Sequence, residues 1–359
     1  MSKILVFILA ALAGALGGFY AAAMADGWNT LLLLAELWFA YFLQVVLHEG
    51  GHLLFGRLSG YGMTSFRVGR WILLRREGKW TLSRYQIPGT GGQCLMCPPD
   101  GEDYPVLLYN LGGGLFNLML SALAGLLLWR VPLPPLAEAF FVLFAVFGVV
   151  IGLTNLIPLR VGGLDNDGRN ALVLAKNPDS RWAFAAQLRI NAAQAQGRTL
   201  SDFPEEFFAP LKTADWNNPL IGAAACIYAG RRMEQGDFSG AEADLDRLLA
   251  CPALSQLLRY ESLLEQRCCR RLLGERALES LDRQTQKFRK STRPYFISRC
   301  RQEYVLALLE ENDLEKAQKL RDEFEKRAQK YPYPGETAGE RKMLDRTLAL
   351  FQKSSKSGT

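Results

Sequence analysis

The chain has 359 residues, 22% of them charged, and a formal net charge of +6 at pH 7. This charge is modest and spread along the chain, so composition argues against nucleic acid as a partner. Residues 1–175 carry 11 Lys/Arg and 10 Asp/Glu, whereas residues 176–359 carry 31 and 26. A charge-poor, apolar first half predicts a membrane-embedded domain at residues 1–175, followed by a soluble domain at residues 176–359.

The seven cysteines form no regular framework, and five of them lie in the second half. An odd number without a framework favours a reducing compartment. Cys94 and Cys97 make a CxxC pattern that is typical of a redox pair or of half a zinc site. No second CxxC and no thioredoxin-like strand and helix accompany it, so the pattern alone is weak evidence for either.

The N-terminal residues 4–24 form an uncharged apolar run that is long enough for one membrane helix. A cleaved signal peptide is the alternative, because Ala23-Met24-Ala25 resembles a cleavage site. A second hydrophobic stretch, residues 31–47, predicts the next span.

His48-Glu49-Gly50-Gly51-His52 follows that second stretch and contains the only two histidines of the chain. Residues four apart on a helix share one face, so the two imidazoles can bind the same metal. Zinc lowers the pKa of its bound water, and Glu49 would act as the general base. Chance or a core histidine is the alternative, but ionisable groups at the end of a membrane helix usually mark function.

A β-hairpin is predicted from residues 65–74 and 80–87, which are rich in β-branched, aromatic and aliphatic side chains. The two segments flank residues 76–79, where Gly78 can adopt a positive φ. The hairpin either lies on the bilayer surface, with its arginines among the lipid head groups, or offers a strand edge to an extended substrate near the metal.

Two further spans are predicted at residues 106–128 and 136–156, which brings the number of spans to about four. Basic residues crowd the segment after the HExxH pattern and follow the last span, whereas residues 26–29 contain none. The positive-inside rule then predicts a multi-pass protein of the cell membrane with both termini in the cytoplasm.

A catalytic zinc normally takes three protein ligands and leaves one position for water. No histidine remains, so the third ligand has to be a carboxylate or a thiolate. The candidates are Asp165 and Asp167, which follow the last span in a segment that begins with Asn155-Leu-Ile-Pro158 and ends with Gly168. Alternatively, the two aspartates bind no metal and lie in a solvated cytoplasmic loop.

An HExxH in one membrane helix, combined with Asn-x-x-Pro and Asp-Gly after a later one, resembles the site-2 protease family of intramembrane metalloproteases. The resemblance covers about residues 30–170. It implies that His48, His52 and Asp167 bind Zn²⁺ and that Glu49 is the base. Pro158 and Asp167 are nine positions apart, which is longer than the family's usual interval and keeps Asp165 as a competing ligand.

The same resemblance extends to two asparagines. Asn117, in Gly112-Gly-Gly-Leu-Phe-Asn117, is similar to the family's Gly-Pro-x-x-Asn element without its proline. The resemblance implies that Asn117 and Asn155 bind substrate near the active site. Alternatively, Asn117 is a hydrogen-bonding tie between helices, and Asn155 satisfies the carbonyl groups that Pro158 leaves without a donor.

The second half reads as charged helices separated by breaks at Gly236, Gly274 and Asn312, which are 38 residues apart in each case. Ala241 and Ala317 each lie five residues after a break. The segment resembles tetratricopeptide repeats, whose helix pairs stack into a solenoid that could bind a cytosolic protein partner. An ordinary helical bundle is the alternative. A last amphipathic helix is predicted at residues 337–351.

These features predict a mainly α protein: a polytopic membrane helical bundle of about four spans with a short β-hairpin, followed by a soluble α-helical repeat domain. The expected function is that of an intramembrane zinc metalloendopeptidase which cleaves a membrane-associated peptide or protein. A non-catalytic membrane receptor or scaffold with a structural metal is the alternative. Glu49 distinguishes the two, because a structural metal site needs no base.

Overall fold

The computed structural model describes Gly14 and residues 27–357, apart from residues 77, 88–89, 102–103, 162–163 and 276–277. The protein is mainly helical, with four short strands in a small antiparallel sheet. The predicted first span at residues 4–24, and with it the choice between a retained helix and a signal peptide, lies outside the described residues except for Gly14.

The chain forms two compact units. The first comprises Met1–Gly69 and Thr90–Pro178, and the second comprises Arg70–Gly89 and Asp179–Thr359. The segment Arg70–Gly89 therefore belongs to the second unit, although it interrupts the first in sequence. The charge distribution predicted one domain boundary at residue 175, and it did not predict that Arg70–Gly89 belongs to the second unit.

The first unit is built on three long apolar helices, α1 (Gly27–Leu58), α2 (Leu107–Arg130) and α3 (Pro135–Leu156). Each is long and apolar enough to cross a membrane. Much of their apolar surface is exposed, as at Trp38, which is 63% exposed. Water would not favour this arrangement, whereas lipid tails would, so the protein is a membrane protein.

Glycines set the spacing between these helices. A Cβ atom added at Gly51 of α1 would lie 2.5 Å from the carbonyl oxygen of Gly112 in α2, and one added at Gly114 would lie 2.6 Å from Cγ of Leu156 in α3. Any larger residue at either position would force the helices apart. Small residues at helix contacts are the usual means of close packing inside a bilayer.

The first predicted strand, residues 65–74, is wrong as a single element. Strand β1 (Gly62–Val68) ends at Gly69, which has φ +56°, and the chain turns there into β2 (Trp71–Arg76). Strand β1 pairs antiparallel with β4 (Gly92–Cys97), a strand that the sequence analysis did not predict. Aromatic and aliphatic side chains occur on both sides of Gly69, so composition did not reveal the turn between β1 and β2.

The predicted hairpin exists as β2 and β3 (Lys79–Arg84), which pair antiparallel with Gly78 at φ +80° in the turn. Its residues belong to the second unit. Ile72 and Leu74 of β2 are buried within the hydrophobic core that the helices of that unit form. One face of the hairpin is therefore covered by helices.

The CxxC pattern lies on β4, and all seven cysteines are free thiols. Cys94 and Cys97 are three positions apart, so they fall on opposite faces of an extended strand. Cys94 is buried, and its carbonyl oxygen accepts a hydrogen bond from Tyr109 Oη at 2.8 Å. Within one regular strand the two thiols do not converge on a common ligand.

The acidic segment after α3 forms a small turn. Two short strands, β5 (Arg160–Val161) and β6 (Leu164–Asp165), pair antiparallel and lead into α4 (Asp167–Lys176). The side chain of Asn166 caps α4 by accepting a hydrogen bond from the amide of Arg169. This cap places Asp167 in the first position of the helix.

The second unit is a set of helices that are joined by short turns. In chain order they are α5 (Pro178–Ala195), two 3₁₀ segments (Leu200–Asp202 and Glu205–Lys212), α6 (Pro219–Gln235), α7 (Phe238–Leu249), α8 (Gln256–Leu272), α9 (Arg283–Thr292), α10 (Ser298–Leu309), α11 (Leu314–Ala328) and α12 (Pro334–Ser357). The last helix is longer than the predicted residues 337–351.

The three predicted breaks lie between α6 and α7, between α8 and α9, and between α10 and α11. Gly236 has φ +87°, Gly274 has φ +90° and Asn312 has φ +55°. Glycine and asparagine are the residues that most readily adopt this conformation at the end of a helix. Ala241 and Ala317 are both buried after the breaks. A tetratricopeptide relationship stays a prediction.

A buried arginine ties three helices of this unit together. Arg301 of α10 is 2% exposed and donates hydrogen bonds of 2.6 and 2.7 Å to the carboxylate of Glu265 in α8. Its Nε donates to Glu340 of α12 at 2.8 Å. Planar guanidinium groups suit such a bidentate contact, and both partners offset the cost of burying the charge.

Candidate metal centre

The two histidines lie one helical turn apart on α1 and face the interior of the first unit. Each is 8% exposed. Their Nε2 atoms are 3.2 Å apart, with the rings nearly perpendicular at an interplanar angle of 85°. The spacing predicted from the sequence therefore brings both nitrogens to one point.

Asp167 reaches the same point from α4. Its Oδ2 atom lies 3.2 Å from Nε2 of His48 and 3.3 Å from Nε2 of His52. Burial raises the pKa of the Asp167 carboxyl, but the two adjacent imidazoles outweigh that effect and hold the pKa well below its usual range. The group is therefore a carboxylate, which is the form that binds a metal.

The three atoms fit the geometry of tetrahedral coordination. Metal–ligand bonds of about 2.1 Å at tetrahedral angles place ligand atoms roughly 3.4 Å apart. The observed separations among His48 Nε2, His52 Nε2 and Asp167 Oδ2 are 3.2, 3.2 and 3.3 Å. Two nitrogens and one oxygen form a group that could hold a metal ion and leave a fourth position open.

Hydrogen bonds to the other ring nitrogens fix how the imidazoles face this point. Nδ1 of His48 lies 2.7 Å from Oδ1 of Asn117, and Nδ1 of His52 lies 2.7 Å from the carbonyl oxygen of Tyr109. Both partners are acceptors, so each Nδ1 carries the proton and donates it. In the neutral rings that bind a metal, each Nε2 then carries the lone pair and faces the point that Asp167 also reaches.

Asn117 is itself held in one orientation. Its Nδ2 donates to the backbone oxygen of Gln44 at 2.9 Å and to the side-chain oxygen of Gln44 at 2.6 Å. Nε2 of Gln44 donates in turn to the carbonyl oxygen of Phe144 at 2.9 Å. Because both amide protons of Asn117 are used, its oxygen has to face His48. Sequence analysis missed Gln44, although a glutamine in the middle of an apolar span was the available signal.

The glycine run on α2 makes room for the imidazoles. A Cβ atom added at Gly113 would lie 2.6 Å from Nε2 of His52 and 2.7 Å from Nε2 of His48. These distances are far shorter than a normal contact. Only glycine at this position lets α2 pass beside the two ligand atoms.

Glu49 lies next to the metal-binding group but is not part of it. The residue is 8% exposed. A Cβ atom added at Gly92 would lie 2.5 Å from its Oε1, so the carboxylate lies against the backbone at the start of β4. Glu49, which lies between the two histidines in sequence, therefore packs against the first residue of strand β4.

A buried arginine holds the start of β4 in this place. Arg67 is 1% exposed and donates to the carbonyl oxygens of Gly69 at 2.7 Å and Gly92 at 3.2 Å, as well as to the hydroxyl of Thr90. Its guanidinium thus links the end of β1 to the residue that touches Glu49. Sequence analysis did not single out Arg67 and missed this role.

Asp165 and Asp167 have different partners. Asp165 accepts a hydrogen bond from Nε of Arg160 at 2.6 Å, and it lies 3.0 Å from Nε of Arg169. The group that could hold a metal contains Asp167 and not Asp165. The carboxylate of Asp165 is instead engaged in ion pairs.

Asn155 does not make the contact that its alternative interpretation required. Its Nδ2 donates to the carbonyl oxygen of Ile151, one turn earlier in α3, at 2.9 Å. Pro158 has no N–H, so the carbonyl oxygen of Thr154 loses its helical donor. Asn166 supplies that donor through its Nδ2 at 2.6 Å. Asn166 therefore does what Asn155 was expected to do, and sequence analysis missed it.

Asn166 and Gly168 together fix the segment on either side of Asp167. Nδ2 of Asn166 also donates to the carbonyl oxygen of Ile157 at 2.7 Å. A Cβ atom added at Gly168 would lie 2.0 Å from the carbonyl oxygen of Leu156, so this position accepts only glycine. The end of α3 and the start of α4 are thus in close contact, and Asp167 is held at that junction.

Comparisons of the chain with protein-family models, with curated proteins and with solved structures give no match. The chemistry of the site is therefore inferred from its own residues and geometry.

Proposed function

We propose that the protein is an intramembrane zinc metalloendopeptidase of the site-2 protease type. The observation that carries this proposal is the convergence of His48, His52 and Asp167, with separations of 3.2 to 3.3 Å, beside a buried glutamate within an apolar helix. Two neutral imidazoles and one carboxylate are a ligand set of known zinc hydrolases, and they leave a position for water.

Zinc, when bound, polarises a scissile carbonyl group and lowers the pKa of water at the open position. The residues of the chain transfer the proton and orient the metal ligands. Glu49 accepts the proton of the attacking water and delivers it to the nitrogen of the leaving amine. Asn117 and the carbonyl group of Tyr109 accept hydrogen bonds from the two Nδ1 atoms, which orients both imidazoles with Nε2 towards the metal position.

A strand edge is available for the substrate. Within the described chain, β4 has one strand partner, β1, and its first residue lies against Glu49. An extended peptide that pairs with the other edge of β4 would present its backbone near the base. This assigns to β4 the substrate-binding role that was one of two alternatives for the predicted hairpin of residues 65–74 and 80–87. The proposed substrate is a membrane-associated peptide or protein.

The proposal includes a topology. The segment after α1 and the segment after α3 both carry basic residues, so both are assigned to the cytoplasmic side, together with the second unit. With the predicted span at residues 4–24 as a fourth crossing, this arrangement puts both termini in the cytoplasm. The helices at residues 176–359 would then bind a cytosolic protein partner.

Two measurements test the proposal. Purified wild-type protein should contain about one zinc per chain, and Glu49→Gln should retain the metal because Glu49 is not a ligand. Mass spectrometry of membrane peptides from cells that carry the wild type or Glu49→Gln should show cleavage products only for the wild type. Equal products from both would remove Glu49 as the base, and zinc in both with no products from either would favour a structural metal.

A further inference from the structure

A cavity of about 430 Å³ lies within the second unit, where the end of the β2–β3 hairpin meets two turns of the helical region. Arg84 and Tyr85 line it from the hairpin. The turn before α10 contributes Pro294 and Tyr295. The end of α11 and the following turn contribute Lys326, Arg327, Lys330, Tyr331 and Pro332. The cavity is therefore built from three separate parts of the sequence.

The charge of this cavity has one sign. Arg84, Lys326, Arg327 and Lys330 line it, and none of the residues that line it is acidic. Arg84, Lys326 and Lys330 are exposed, and within the described chain none of the three takes part in an ion pair. Several arginines elsewhere in this unit are instead paired with carboxylates, as Arg301 is with Glu265. Convergent cations without counter-charges favour an anionic ligand.

Two of the cationic groups are already oriented. Arg327 donates to the carbonyl oxygens of Arg293 at 3.0 Å and Phe296 at 3.1 Å, which fixes its guanidinium at the cavity wall. Arg84 stacks on the ring of Trp71, with its Cζ 4.8 Å from the ring centroid. Stacking uses the face of a guanidinium and leaves its N–H edge for an anion.

The wall also contains three tyrosines, Tyr85, Tyr295 and Tyr331. Tyr85 and Tyr331 both line the cavity and meet edge to face, with ring centroids 5.5 Å apart. Their rings suit a flat or apolar part of a ligand beside its anionic group. The cavity is also larger than a bare phosphate or sulfate ion needs.

We propose that this cavity binds a phosphate-bearing anion through Arg84, Lys326 and Lys330. A phosphomonoester carries a charge of about −1.5 to −2 at neutral pH and has three strong acceptor oxygens. It matches several convergent cations better than a single carboxylate does. The source is either a phospholipid head group or a soluble phosphorylated compound. In both cases the ligand would join the hairpin to the helices of its own unit.

Two probes with the same phosphomonoester distinguish these sources. Full-length protein in a zwitterionic detergent is titrated by calorimetry with glycerol 3-phosphate and, separately, with dioctanoyl phosphatidic acid. Dioctanoyl phosphatidylcholine serves as the lipid without the anionic monoester. Binding of the soluble probe indicates a soluble ligand, and binding of phosphatidic acid alone indicates a lipid. Either result supports the site, and added salt should weaken the binding.

The decisive variant is Lys326→Ala/Lys330→Ala, which should weaken binding of the active probe by at least about tenfold. Its matched control is Lys316→Ala/Lys319→Ala on the same helix, where the lysines are exposed and paired with Glu311 and Glu315. The control should bind as the wild type does. Lys326→Arg/Lys330→Arg should restore binding because it keeps the charge. The proposal is overturned if neither probe binds the wild type, or if both alanine variants bind equally.

Discussion

The side-chain oxygen of Asn117 lies 2.7 Å from Nδ1 of His48, so an asparagine on α2 determines which nitrogen of a histidine on α1 is free for a metal. Partners of this kind commonly account for 10- to 100-fold in metal affinity. We expect Asn117→Ala to weaken zinc binding by about that factor, as measured by competition with a chromophoric chelator. Asn155→Ala is the control and should leave the affinity unchanged, because Asn155 bonds only within its own helix in the contacts described.

The two acids after α3 should differ in metal binding. Asp167→Ala removes one of three converging ligand atoms, so zinc content after dialysis should fall close to zero. Asp165→Ala should retain most of the zinc, because its carboxylate pairs with Arg160 and Arg169. Metal analysis of both purified variants measures this, and the reverse order would identify Asp165 as the ligand.

The close passage of α2 beside the histidines gives a third prediction. Gly113→Ala would place a methyl group 2.6 Å from Nε2 of His52, so the helix or the imidazole has to move. We expect loss of zinc binding and a lower melting temperature, which metal analysis and thermal unfolding would record. Gly125→Ala on the same helix meets no atom within 4 Å and is the matched control. Normal zinc content in Gly113→Ala would show that α2 can move away from the histidines without loss of the metal site.

The proposed topology has a direct test. In a cysteine-free background, a membrane-impermeant thiol reagent applied to intact cells should label a cysteine at Asn29 and should not label one at Ser239. Asn29 lies in the first turn of α1, before the apolar span Leu31–Leu58, and Ser239 lies in α7 of the second unit. Labelling at Ser239 in intact cells would invert the orientation and remove the cytoplasmic partner from the proposal.

The sequence by itself determined the features that depend on neighbours along the chain. The spacing of His48 and His52 fixes their common helix face, because an α-helix repeats every 3.6 residues. Three apolar segments correspond to α1, α2 and α3, since hydropathy over about 20 residues reports a span directly. The breaks at Gly236, Gly274 and Asn312 were likewise readable, because few residue types adopt a positive φ.

Only the tertiary structure decided which distant residues meet. Several polar residues have roles that depend on partners in other elements: Gln44, Tyr109, Arg67 and Asn166. The sequence around a polar residue does not show which distant residue it contacts. The choice between Asp165 and Asp167 is of the same kind: both lie in one short segment, and the cap by Asn166 and the contact of Gly168 with Leu156 bring one of them to the histidines.

The sequence near Arg70–Gly89 likewise did not show that this segment belongs to the second unit. Strand pattern predicts that β2 has a buried face, but it does not say what covers that face. Ile72 and Leu74 pack into the helical core of the second unit, whereas β1, which ends only three residues before β2, pairs with β4 in the first. Burial is a property of long-range packing, so two consecutive strands on either side of the turn at Gly69 can belong to different units.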